Sequence, residues 1–249
     1  MINNISIPKD LKQIKIDVGL AGEAPNSCIW LSETPDRFVI GIEPLESHWK
    51  DLHTYTQFDR SYPNFKMLQL DQNAVMLNKE VVCLVNNRFF EIHGAIDSVP
   101  EPTVKGFYKM EQKGGSSGSS SLLKPTQHHP HKVDEIVRVD VYSLEYILSL
   151  LDWERFPYIE HIKTDCEGKD FDVVKSIGKY LDKIVFISSE ASGNSHHWYG
   201  SGDNNRFESY MIDEGFKVLS KTNGNIDFIN PKYNDIIIRD NLNNKTLGE

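Results

Sequence analysis

The sequence predicts an α/β protein, a mainly parallel Rossmann-like sheet with helices on both faces. Three observations predict it. Short apolar runs alternate with capped or amphipathic segments, as βαβα at the front and βαβαβ at the back of the chain. That alternation is the pattern of a parallel sheet covered on both faces. Asp17, Glu43, Asp97, Asp165 and Glu190 each stand at the end of an apolar run, and in such a sheet the carboxyl ends of the strands share one edge. The 249 residues are 39% apolar and 25% charged, a composition that fits one globular domain over 1–249.

The first strand is Ile14-Lys15-Ile16-Asp17-Val18, followed by Gly19-Leu20-Ala21-Gly22. Gly19 and Gly22 allow positive φ and close approach of the backbone to a ligand. Glu23 to Ser32 reads as a helix, with Pro25 acceptable in its first turn. Phe38 to Ile42 is the second strand, and Glu43 follows the last Gly by about twenty residues, the spacing at which an acid grips ribose hydroxyls. By itself a Gly-x-x-Gly turn is equally an ordinary loop, and Glu43 a surface acid.

A helix is expected from Leu45 to about Thr54. Between Tyr55 and Asn87 the apolar period is ambiguous, and a helix over part of the segment is favoured. Arg88 to Asp97 and Phe107 to Met110 read as strands. Gly114 to Ser121 is the one low-complexity tract, read as a mobile loop over a single domain. Gln127-His128-His129-Pro130-His131 is read as loop, because its spacing matches no tetrahedral ligand set; no metal is assigned.

Val137 to Val141 is a strand, and Ser143 caps a helix from Leu144 to Leu151. Ile159 to Thr164 is a strand that runs into Asp165-Cys166-Glu167-Gly168. Phe171, Val174, Ile177 and Leu181 place a helix over Lys169 to Leu181. Lys183 to Ser189 is a strand that ends at Glu190, and a polar loop carries His196, His197, Trp198 and Tyr199. Arg206 to Glu214 is a last helix, stopped by Gly215. Phe216 to Leu219 and Asp235 to Arg239 are expected to close the sheet as an antiparallel pair.

The net charge is −9, with no basic block, which argues against binding to duplex nucleic acid. No run approaches the roughly 20 apolar residues of a membrane span, and the first residues lack the features of a signal peptide. Cys28, Cys83 and Cys166 are isolated and odd in number, so a cytoplasmic location is expected. Oligomeric state is not legible.

Five stretches together resemble the FkbM family of S-adenosylmethionine-dependent methyltransferases: Ile16 to Gly22, Gly41-Ile42-Glu43-Pro44, Ala95-Ile96-Asp97, Ser119 to Leu123, and above all Ile162-Lys163-Thr164-Asp165-Cys166-Glu167-Gly168. The likeness runs from about Ile14 to Arg239. It departs at Ala21, where the family usually has Asn, and at Lys169-Asp170. The resemblance implies the class I methyltransferase sheet, seven strands with the last one antiparallel. It implies a transferase that O-methylates a small molecule or glycan.

On that resemblance, Gly19 and Gly22 approach the methionine moiety of the cofactor. Glu43 accepts both ribose hydroxyls; Ala95, Ile96 and Asp97 border the adenine. Asp17 holds the ammonium, and Asp165 lines the cofactor pocket or acts as the base. A hydroxyl acceptor needs a base within hydrogen-bond reach, and the candidates are Asp165, then His196 or His197, then Glu190. Cys166 reads as a core thiol. Two rival readings stand beside this one. An NAD-dependent oxidoreductase has a similar turn, but Gly-x-Gly-x-x-Gly is missing and Asp17 sits poorly beside a pyrophosphate. The other rival is a non-catalytic binding protein on a methyltransferase scaffold.

Overall fold

The computed structural model describes residues 2–54, 66–77, 79–111, 118–190, 195–201, 204–222 and 224–234. Its main sheet has seven strands: β1 (Gln13–Val18), β2 (Arg37–Glu43), β6 (Phe89–His93), β10 (Ile159–Thr164), β11 (Ile184–Glu190), β12 (Lys217–Thr222) and β13 (Asn225–Ile229). They lie in the order β12-β13-β11-β10-β1-β2-β6. β6, β2, β1, β10 and β11 pair in parallel, and β13 runs antiparallel to both its neighbours. Strands added after β1 grow one way, and β10 and β11 grow the other way. The reversal lies between β1 and β10, and at such a switch point open α/β sheets bind their ligands.

Alternation along a strand decides what each face buries. In β2, Phe38, Ile40 and Ile42 join one apolar cluster with Ile147, Val173 and Met211. Val39 joins the opposite cluster with Cys28, Leu31 and Trp49. The first face is covered by α3 (Leu144–Ser149), α4 (Asp170–Lys175) and α5 (Asn204–Asp213), the second by α1 (Pro25–Glu33) and α2 (Glu46–His53). Pro25 opens α1, and the Ser143 side chain accepts from the Tyr146 N–H at 3.2 Å to cap α3.

Three expectations are corrected. The described part of the Tyr55 to Asn87 segment has no helix. It forms an antiparallel sheet of β3 (Lys66–Gln69), β4 (Ala74–Leu77) and β5 (Glu80–Leu84), while 55–65 lies outside the described residues. Asp71-Gln72-Asn73 interrupts the apolar run, and Asn73 and Lys79 adopt φ +51° and +69°, so short strands joined by turns win over a helix. Arg88 to Asp97 is not one strand. The chain leaves the main sheet at Gly94, and β7 (Ala95–Ile96) pairs with β9 (Val133–Tyr142), which also pairs with β8 (Thr103–Met110).

The helix expected to reach Leu181 ends at Lys175; Gly178, at φ +57°, starts a 3-10 turn over Gly178–Lys183. β12 pairs with β13; Asp235 to Arg239, expected as its partner, lie outside the described residues. Asn223-Gly224 is a strong hairpin signal, and Ile226 and Phe228 turn into the core. The antiparallel strand itself is as expected.

Candidate functional site

A cavity of about 370 Å³ opens where β1, β2 and β10 end, within the size range of small-ligand pockets. Its first wall is the turn after β1. Gly19 has φ +82°, and a Cβ there would stand 2.0 Å from the Asp165 carbonyl oxygen. Only glycine fits that close approach. Ala21 and Ala24 adopt φ +52° and +50°, a left-handed conformation that costs about 1–2 kcal/mol for an L-residue and that Asn tolerates better.

Glu43 fastens this turn from β2. One carboxylate oxygen accepts from the Leu45 N–H at 2.9 Å and faces His48 Nδ1 at 3.1 Å. The other accepts from the Ala21 N–H at 3.2 Å. Burial opposes a charge on His48, but Glu43 outweighs it and raises the imidazole above its ordinary value. A carboxylate has about four acceptor positions, so one remains, on the oxygen that holds Ala21.

The second wall follows β10 and β11. Asp165, Glu167 and Glu190 carry carboxylate oxygens within 4.8 Å of one another. Among the described residues, this is the one set of three side chains spaced to surround a small cation, and the same spacing suits a shared proton. Burial, then the charge of Asp165, pushes the Glu190 carboxyl up to about 9 and that of Glu167 up to about 7. Asp170, fully buried behind them, is pushed up to about 6 by the same causes. Lys163 stands between the walls: its Nζ donates to the Gly19 carbonyl at 3.0 Å and lies 3.4 Å from Asp165 and 3.6 Å from Asp17.

Phe107, Ser119, Ser120 and Leu122 form the roof. The Ser120 hydroxyl accepts from the Met110 N–H, and the Ser121 hydroxyl donates to the Glu167 carbonyl. Gly118 to Ser121 is therefore tied to the site, and 112–117 lies outside the described residues. Beyond the roof, the Thr126 and Tyr199 N–H groups donate to the carbonyls of His197 and Lys124. Trp198 is thereby laid across Gly168, and its indole packs against His129.

The residues expected from the sequence fall into two groups. Gly19, Glu43, Ala95, Ile96, Asp165 and Glu190 line the cavity, as do the stretches around them. Asp17, Gly22, Asp97, His196 and His197 are not among its lining residues. Asp17 is buried under the turn, where one oxygen accepts from the Ser27 N–H and hydroxyl at 3.1 and 2.7 Å. Gly22 abuts Asp51. Asp97 is gripped by Lys105 and Lys169, each at 2.7 Å; burial opposes its charge, but these lysines outweigh it and hold the carboxyl below the ordinary range. His196 and His197 meet edge to face in the outer loop beside His129. Cys166 is a half-buried thiol that burial pushes well up, so it is not a thiolate nucleophile.

Sequence reasoning missed His48, Lys163 and Glu167 as site residues. Lys163 and Glu167 were present in the motif, and their signal was the strict alternation of charge along its strand end. His48 had no signal, because only the return of α2 brings it to Glu43. No family model, curated protein or solved structure matches the chain. Fold and site define an α/β protein with a mostly parallel seven-stranded sheet and an acid-lined cavity at its switch point.

Proposed function

We propose that the chain is an S-adenosylmethionine-dependent O-methyltransferase acting on a hydroxyl of a small molecule or glycan. The observation that carries the reading is the joint placement of Gly19, Glu43, Ala95 and Ile96 around one cavity at the switch point of a seven-stranded sheet with an antiparallel last strand. These are the positions that the FkbM resemblance assigns to the cofactor. The lining chemistry fits that group too. Glu43 and Asp165 complement a ligand with a sulfonium and an ammonium. A dinucleotide pyrophosphate would meet these acids, while the nearby Lys169 is already held by Asp97 and Asp172. The same observations disfavour the oxidoreductase reading.

The cofactor supplies an electrophilic methyl group when bound. The chain's own residues align the acceptor, exclude water and take a proton. The Gly19 turn and the Glu43 carboxylate fix one side, with Oε2 of Glu43 keeping one position for a ribose hydroxyl. Asp165, whose side chain is 45% exposed, opens towards the acceptor side and removes the hydroxyl proton. Phe107 and Leu122 close the apolar roof. Alignment of this kind supplies much of the rate in a displacement.

Titration calorimetry tests the reading. S-adenosylhomocysteine binds with a micromolar-scale dissociation constant, and NAD gives no heat. Heat with NAD and none with S-adenosylhomocysteine would overturn it. A protein that binds S-adenosylhomocysteine but releases no methyl group to any hydroxylated acceptor is instead the non-catalytic binding protein.

A further inference from the structure

The cross-strand pair Asp17 and Lys163, partners in the β1–β10 register, sits on the buried face under the cavity. The Lys163 side chain is 13% exposed. Its ammonium has three partners on two separate walls: the Gly19 carbonyl at 3.0 Å, Asp165 at 3.4 Å and Asp17 at 3.6 Å. The groups that act on it are Asp17 from β1 and Asp165 and Cys166 from the end of β10. Asp165 is faced in turn by Glu190 from β11, Glu167 from the turn and Asp170 from α4.

The turn and the acid wall also touch directly. The Asp165 N–H donates to the Val18 carbonyl at 3.0 Å, and the Gly19 N–H donates to Ile42 at 3.0 Å. Those bonds set the backbone. Among the described residues, Lys163 is the one cation that reaches both the outward Gly19 carbonyl and the Asp165 side chain, whose other close neighbour is Glu190.

We infer that Lys163 is the positioning residue of the site, one buried ammonium that locks the Gly19 turn and the Asp165 carboxylate in a fixed relation. The ammonium donates one hydrogen bond, to the Gly19 carbonyl, and as a compact charge it lies within ion-pair distance of both carboxylates. A neutral side chain at 163 would leave Asp17 buried opposite no cation, free the Gly19 carbonyl, and let Asp165 turn towards Glu190 or away from the cavity. The role rests on the methyltransferase reading only for the identity of what the turn holds.

Amide hydrogen exchange decides it without reference to any ligand. In Lys163→Met the Gly19, Ala21 and Asp165 amides exchange at least tenfold faster than in the parent protein, while Ile14 and Ile16 in β1 keep their protection. Because Lys163→Met strands a buried charge and can fail to fold, Asp17→Asn/Lys163→Met removes both members together and serves as the folded variant. Lys163→Arg restores slow exchange, and added ethylammonium restores it in Lys163→Ala, as a requirement for charge demands and a requirement for packing volume alone does not. S-adenosylhomocysteine affinity falls at least tenfold in the Met variants and recovers in Lys163→Arg. If the folded double variant exchanges these three amides within twofold of the parent, the inference is overturned. If the parent protein binds no S-adenosylhomocysteine, the methyltransferase reading fails, and the exchange comparison still decides the role of Lys163.

Discussion

Glu43 and Asp165 face each other's walls with different degrees of freedom. The Ala21 and Leu45 N–H groups, and the His48 ring 3.1 Å away, already hold Glu43. It therefore presents one free acceptor position and not a free carboxylate, and the two-hydroxyl contact implied by the family resemblance requires one of these donors to give way. Glu43→Ala should weaken S-adenosylhomocysteine binding by about 1.5–3 kcal/mol, the range for hydrogen bonds to a charged group. Calorimetry reads it, and an unchanged affinity removes Glu43 from the ligand. Asp165 is the more exposed acid. If it takes the acceptor proton, Asp165→Asn should lower kcat by about 10²–10⁴-fold and leave cofactor affinity nearly intact. A parallel fall of rate and affinity would make it a pocket wall only. Activity should persist in excess chelator, because a carboxylate base needs no metal; chelator-sensitive turnover would move the chemistry to a cation among Asp165, Glu167 and Glu190.

At the scale of elements, the turn between β1 and α1 is the most constrained piece of backbone in the site. Gly19 lies against the Asp165 carbonyl, and Ala21 and Ala24 carry positive φ. A side chain at 19 cannot be accommodated without separating β1 from the end of β10. Gly19→Ala is expected to abolish ligand binding and to lower the unfolding midpoint, with about 1–3 kcal/mol from backbone strain alone. Ala21→Asn places a residue that tolerates the left-handed region and should raise the midpoint slightly. Urea unfolding of the two variants checks both signs; a stable, binding-competent Gly19→Ala would mean that the turn relaxes freely.

For the whole molecule, the acid wall sets a pH dependence of stability. Glu190, Glu167 and Asp170 have folded values of about 9, 7 and 6 against ordinary values of 4.5, 4.5 and 3.8. Their folded values are raised, so the native state binds more protons than the unfolded chain across that window. Stability then falls as pH rises from about 4 towards about 9. Asp97 works in the opposite sense: its lowered carboxyl stabilises above its ordinary value of 3.8 and that contribution is lost as pH falls below it. Burial pushes the His161 imidazole down to about 3, which opposes this trend below its ordinary value of 6.5, so the urea midpoint should decline between about pH 7 and 9. Glu190→Gln should raise the midpoint at pH 8 and flatten the decline. A midpoint that climbs over this range in the parent protein would contradict the linkage.

By itself the sequence determined the five acid-ended strand ends, the Gly turn and the order of helices and strands along most of the chain. Those features are local: a period of two or 3.6 residues, a cap, or a glycine acts within one segment. Tertiary structure alone decided which acids reach the cavity. Asp17 and Asp97 end strands just as Glu43 and Glu190 do, yet one is drawn under the turn by Ser27 and the other is tied down by two lysines. It also decided that β12 pairs with β13, that the segment after 65 is a sheet, and that Lys163 joins two walls 144 residues apart in sequence. Strand pairing and the path of a long side chain depend on what is packed against them, and no spacing along one chain encodes the distance between a lysine ammonium and a carbonyl on the neighbouring strand.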